Sequence, residues 1–280
     1  MKFFMIVNDS NVAKYAHDSG VDFLFVDLEY MGKDERQKNL DSWKSRQTIA
    51  DLTRIRKTVP EGSIMVRINP MHSDTKAELD AVINEGANTV MLPMFRTTSE
   101  LAKFFDLLDG RVNALPLFET VGSIISMPEI LESLPVEQLH IGLNDLHLDA
   151  KLAFMFEPIA NGMLEDVSKL LCENDIEFGL GGVARANEGL IPPNYLFGEH
   201  VRLGSSRAIL SRTFHRKAET LQELKKSLNL PEELKALRDI YNGFLNKTPE
   251  ELEENRKITA RKIFNICDTI RDAAKINYAN

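Results

Sequence analysis

Two short runs place carboxylates where chemistry could use them. Pro116-Leu117-Phe118-Glu119-Thr120 and Ile141-Gly142-Leu143-Asn144-Asp145-Leu146 are each an apolar segment that stops at an acid. They lie about one βα unit apart in the chain. Acids at the mouths of neighbouring parallel strands can hold one hard cation. Two carboxylates plus water suit Mg2+ or Mn2+ and leave positions open for a bidentate ligand such as a 2-oxo acid. Zinc would call for His or Cys, and no histidine lies at either strand end except His147, two residues past Asp145.

A third residue belongs with them. Arg67 sits on an apolar segment between Val66 and Ile68. A charge there needs a partner, because burying it alone is expensive. Asp27 or Glu29, at the end of Val26-Asp27-Leu28-Glu29, could pair with it inside the fold. Its planar guanidinium could equally clamp a substrate carboxylate, and the two roles are compatible. The turns Gly181-Gly182 and Gly204-Ser205-Ser206 would let backbone N–H groups approach an anion.

The elements that must position these residues alternate. Apolar strand-like runs fall at 3–7, 21–28, 64–68, 89–92, 112–118, 138–141, 177–180 and 200–203. Amphipathic helical stretches between them include 11–19, 47–58, 75–85, 98–108 and 164–174. Continuous apolar strands imply burial on both faces, as in parallel sheets. Eight such units predict an α/β fold, a (β/α)8 TIM barrel, over residues 1–215. An open doubly wound sheet would want a Gly-rich turn after the first strand, where the chain has Asn8-Asp9-Ser10-Asn11, an N-cap sequence. In such a barrel the chemistry sits at the C-terminal ends of the strands. Residues 216–280 read as a C-terminal helical extension. Pro231 and Pro249 fall at helix starts, and Leu252, Ile258, Ile263, Ile266 and Ile270 form an apolar stripe.

Composition narrows the partners. The chain has 280 residues, 43% of them hydrophobic, and a net charge of −8 from 34 basic and 42 acidic side chains. That balance argues against nucleic acid or an anionic membrane as partner. No apolar run reaches the roughly 20 residues of a membrane span. Cys172 and Cys267 lack metal-ligand spacing and read as free thiols. The N-terminal apolar run reads as a first strand and not as a signal segment, so a cytoplasmic location is expected.

In order along the chain, Val26-Asp27-Leu28-Glu29, Val66-Arg67-Ile68-Asn69-Pro70, Gly86–Met94, Phe118-Glu119-Thr120, Ile141–Leu146 and Leu203-Gly204-Ser205 resemble the metal-dependent HpcH/HpaI aldolase and citrate lyase β-subunit family, of the pyruvate/phosphoenolpyruvate barrel superfamily. The resemblance implies that Glu119 and Asp145 ligate Mg2+ or Mn2+, and that Arg67 binds the pyruvoyl unit. It implies a carbon–carbon lyase of aldolase type, acting on a 2-oxo acid or its aldol adduct through a metal-bound enolate. The expected partners are a pyruvate- or oxaloacetate-like 2-oxo acid and an aldehyde. A homo-oligomer joined through the last helices is also expected.

One position departs from the family pattern. Leu28-Glu29-Tyr30 stands where hydroxy-acid aldolases carry Gly-Glu-His and citrate-lyase-like members carry Leu-Glu-Asp. Glu29 and Tyr30 therefore become the catalytic candidates beside Arg67, with His72 and His147 as further proton donors. Asp27, Gly142, Gly182 and Ser205 join Arg67 as substrate-binding candidates. The stretch Met31–Arg46, with Lys33, Arg36, Lys38, Trp43, Lys44 and Arg46, could close over an anionic substrate. A citrate-lyase-like acyl-CoA lyase or thioesterase and a non-catalytic oxo-acid-binding or scaffold barrel remain as alternatives.

Overall fold

The eight strands β1 (Lys2–Ile6), β2 (Phe23–Asp27), β3 (Ile64–Arg67), β4 (Thr89–Leu92), β5 (Asn113–Phe118), β6 (Gln138–Ile141), β7 (Glu177–Val183) and β8 (Arg207–Leu210) close into one parallel barrel. Closure is made by β1 pairing with β8 through Lys2↔Arg207 to Met5↔Leu210. This is the (β/α)8 barrel that the apolar runs predict. The computed structural model describes residues 1–32, 47–214, 218 and 220–279. The basic stretch proposed to close over substrate, from Lys33 to Arg46, lies outside the described residues.

Both faces of each strand are buried, for two different reasons. Side chains alternate along a strand. Phe4, Phe25, Met65, Met91, Leu115 and Leu117 point inward and fill the barrel. Phe3, Leu24, Val66, Val90 and Leu139 point outward and pack beneath the helices. Around the barrel run α1 (Ser10–Asp18), α2 (Ile49–Arg56), α3 (Thr75–Asn84), α4 (Thr98–Leu108), α5 (Val121–Ser133), α6 (Leu143–Asp149), α7 (Glu157–Ala160), α8 (Glu165–Glu173) and α9 (Pro193–Leu203). Their starts follow local chemistry: Thr97 and Thr120 each cap the next helix through a hydroxyl that accepts the N–H three residues on.

The last strand differs from the sequence expectation. His200-Val201-Arg202-Leu203 is not a strand but the last turn of α9. His200 and Leu203 are buried there, and Arg202 is anchored by Glu165 at 2.7 Å and Glu199 at 2.8 Å. Gly204, at φ 83°, ends that helix in the left-handed conformation. The strand starts three residues later with Arg207, a charge at its first position, which pairs with Glu177 and Gln138 in the lower barrel. Ser205 therefore enters at the N-terminal rim. It is fully buried there, its hydroxyl 3.0 Å from His200 Nδ1. It is at the wrong end of the strand for substrate binding at the mouth.

Beyond β8 lie α10 (Leu221–Ser227), α11 (Leu230–Leu245) and α12 (Pro249–Ala279). α11 and α12 pack on α9, and Leu230, Leu234, Leu237 and Ile263 join the outer core. On α12 the buried line runs through Thr259, Ile263 and Cys267, whereas Ile258 and Ile270 of the expected stripe are exposed. Among the described residues, no helix is long and apolar enough to cross a membrane.

Candidate active site

Asp27, at the last position of β2, accepts two hydrogen bonds from Arg67, at the last position of β3. Nε reaches Oδ1 and Nη2 reaches Oδ2, each at 2.9 Å. The two residues are in register across the strand pair, which sets the fork against the carboxylate. Glu29 Oε2 lies 3.3 Å from the same Nε, and the Arg67 guanidinium stacks over Phe25 beneath it. Burial disfavours the Arg67 charge, but Asp27 and Glu29, with Glu119 behind them, outweigh it and raise its pKa well above the ordinary value. Arg67 is thus a permanent cation at the mouth. Among the described residues, no acceptor engages its Nη1.

Glu119 follows β5 directly and is 3% exposed. Its Oε1 accepts the N–H of Met94, which takes a left-handed φ of 59° at the exit of β4. Neighbouring β6 ends at Ile141, opposite Phe118, and the Gly142 N–H continues the ladder to Phe118 O at 3.0 Å. Gly142 and Glu119 therefore face each other across the seam. A Cβ at 142 would stand 2.8 Å from Glu119 Cβ and Oε2, so only glycine leaves room for the carboxylate. α6 starts at the next residue and carries Asp145 in its first turn.

This cradle brings the two acids of the expected metal pair to one mouth, and hard oxygen donors fit a hard cation. Among the described residues, no three His, Cys, Asp or Glu side chains form a metal-binding group. The fit rests on two carboxylates, with the remaining positions left to water and substrate. At the far side of the mouth β7 bulges between Gly179 and Gly182. Gly181, at φ 52°, comes so close to Leu143 of α6 that a Cβ there would lie 2.6 Å from Leu143 Cδ1. Gly182 sits on this bulge.

The other candidates divide. Glu29 is 2% exposed and stands within the cluster, whereas Tyr30 is 69% exposed, with its ring outside it. His147 is buried on α6, and that burial pushes its pKa down. His72 does not face the cluster; its Nε2 pairs with Glu78 at 3.0 Å. A cleft of about 440 Å3 beside the loop after β7, lined in part by Arg185, Glu188, Asn229 and Glu233, shares no lining residue with the acid cluster.

Two positioning residues were not singled out from the sequence. Asn69 Oδ1 accepts the N–H groups of Tyr30 and Met31, both at 3.0 Å, while its own Nδ2 is held by Glu78 at 2.8 Å. Gln47 accepts the Asp27 N–H at 2.8 Å and donates to Val7 O. Asn69 lies in the Val66–Pro70 motif, so a signal was present. Gln47 carries none, because its partners come from distant parts of the chain.

No curated protein sequence matches the chain. Among solved structures, an HpcH/HpaI aldolase/citrate lyase family protein from Burkholderia cenocepacia J2315 is similar, with a TM-score of 0.59 at 13% identity over 80% of this chain and 93% of its own. CitE from Mycobacterium tuberculosis, in complex with magnesium and pyruvate, has a TM-score of 0.57 at 14% identity over 91% of this chain and 97% of its own. RipC from Yersinia pestis has a TM-score of 0.55 at 14% identity over 90% and 98%. At such identities the likeness speaks for the shared barrel alone. The sequence itself goes further: the family model described as HpcH/HpaI aldolase/citrate lyase matches residues 1–154, a span that contains Arg67, Glu119 and Asp145. The chain belongs to the HpcH/HpaI aldolase/citrate lyase family.

Proposed function

We propose that this protein is a metal-dependent carbon–carbon lyase acting on a pyruvate- or oxaloacetate-like 2-oxo acid, or on its aldol adduct with an aldehyde. The observation that carries the reading is Arg67: a partly buried, permanently charged guanidinium, locked by Asp27, at the same strand-end mouth as Glu119 and Asp145. Glu119 and Asp145 would hold Mg2+ or Mn2+. The bound ion would supply Lewis-acid polarisation of the 2-oxo group.

The chain's own residues do the rest. Arg67 presents its Nη1 edge to the substrate carboxylate and fixes its orientation. Glu29, beside Arg67 and shielded from bulk water, accepts or returns the proton at the reacting carbon or hydroxyl. Gly142, against Glu119, and Gly182, against Ile209 of β8, carry no side chain at the mouth, so that backbone can approach the substrate. CitE complexes with magnesium and pyruvate, and with magnesium and acetoacetate, support small oxo-acid ligands for this barrel.

The test is pyruvate or oxaloacetate release from a panel of aldol adducts, with and without Mg2+ or Mn2+. Glu119→Ala is expected to abolish both the metal dependence and the turnover. Equal activity in Glu119→Ala, or turnover of acyl-CoA thioesters alone, would reject the reading.

A further inference from the structure

Asp149 closes α6 one helical turn after Asp145. Its carboxylate is the meeting point of three strand exits. Oδ1 accepts Arg96 Nη2 at 2.6 Å, and Oδ2 accepts Arg96 Nη1 at 3.2 Å. Arg96 belongs to the exit of β4. Oδ2 also accepts the Val121 N–H at 2.7 Å, at the start of α5, two residues past Glu119. The Arg96 fork holds the Asp149 carboxyl below its ordinary range, and burial only partly opposes this.

The β4 and β5 exits are already joined beside the acids. Met94 N–H binds Glu119 Oε1, and Thr120 Oγ1 donates to Phe95 O at 2.7 Å. Asp149 adds the β6 exit to this pair. Residues four apart share one helix face, so Asp145 and Asp149 turn together. Fixing Asp149 against Arg96 and Val121 sets the rotation of α6 about its axis, and hence the direction in which Asp145 leaves it. As a plain ion pair the contact would matter little, because the Arg96 side chain is 52% exposed. Its leverage is geometric, since metal ligands tolerate only small errors in position.

We propose that Asp149 and Arg96 are positioning residues, a clasp that sets the separation of the Glu119 and Asp145 carboxylates by tying together the exits of β4, β5 and β6. This rests on the metal-site reading above. Neither residue touches substrate or ion.

Mn2+ titration of the purified protein, followed by electron paramagnetic resonance without substrate, separates the clasp from simple charge effects. Arg96→Gln removes a cation near a cation site, so charge alone would tighten Mn2+ binding. The clasp predicts the opposite, a loss of roughly three- to tenfold. Asp149→Asn, near-isosteric, is expected to weaken binding by roughly tenfold and to speed hydrogen exchange at the Val121 amide. Metal-free melting temperatures of both variants should stay close to wild type. Unchanged or tighter Mn2+ binding in Arg96→Gln, or unchanged binding in folded Asp149→Asn, overturns the clasp alone. Absence of Mn2+ binding in the wild type overturns the metal-site reading and the clasp with it.

Discussion

Gly142 and Glu119 occupy one place in the barrel mouth: a Cβ on the first would lie 2.8 Å from Cβ and Oε2 of the second, and 3.2 Å from Leu117 Cδ1. Gly142→Ala must therefore push the carboxylate aside. The expected result is a loss of Mn2+ affinity of about tenfold or more, with a stability cost of about 1–3 kcal/mol from overpacking. Calorimetric metal titration and urea unfolding of the same variant measure both.

Arg67 serves the fold as well as the proposed chemistry, and the two can be separated. Arg67→Ala takes the guanidinium away from two buried carboxylates, Asp27 and Glu29, and should cost about 3–5 kcal/mol in urea unfolding. The pair replacement Arg67→Met with Asp27→Leu should recover part of that stability, the remaining loss being that of the guanidinium beside Glu29. It should not recover pyruvate binding, measured by calorimetry in the presence of Mg2+. Recovery of both would show that the guanidinium has no part in recognition.

Asn69→Ala strips the acceptor from two backbone N–H groups and is expected to cost about 1–3 kcal/mol. Asn69→Asp is the sharper variant. It can still accept from Tyr30 and Met31, but it cannot donate to Glu78 and sets a carboxylate against one. It should therefore be the less stable of the two, and the comparison is read from thermal melts at neutral pH.

Two histidines make acid stability predictable. Burial pushes His140 down to about 4 and His200 down to about 3, from an ordinary value of 6.5. Both are neutral in the folded barrel, while the unfolded chain takes up their protons below pH 6.5. Acid therefore favours unfolding. Stability is complete above that pH and falls as pH drops toward 4, by up to about 1.4 kcal/mol per pH unit for each histidine. His140→Gln should flatten the slope measured by urea unfolding between pH 6.5 and pH 4.5.

Seven strands were legible because burial on both faces writes continuous apolar runs into the sequence. The eighth was not. Arg207 opens β8 with a charge that only the lower barrel can explain, through Glu177 and Gln138, while the last turn of α9 mimics a strand. Ser205 was misplaced as a consequence. The strand-end placement of Arg67, Glu119 and Asp145 was legible because each follows or ends an apolar run that forms a strand. Gln47, Asn69 and Asp149 each reach a backbone or side-chain partner 20 to 53 residues away, a distance that no local pattern records. Tyr30 shows the limit of motif position: it follows Glu29 in sequence, yet its ring lies in solvent.

The exit of β2 is fastened twice, by Asn69 where the chain leaves at Tyr30 and Met31, and by Gln47 where it returns beneath Asp27. A change at Asn69 or Gln47 is therefore transmitted to Glu29 through the backbone on either side of it.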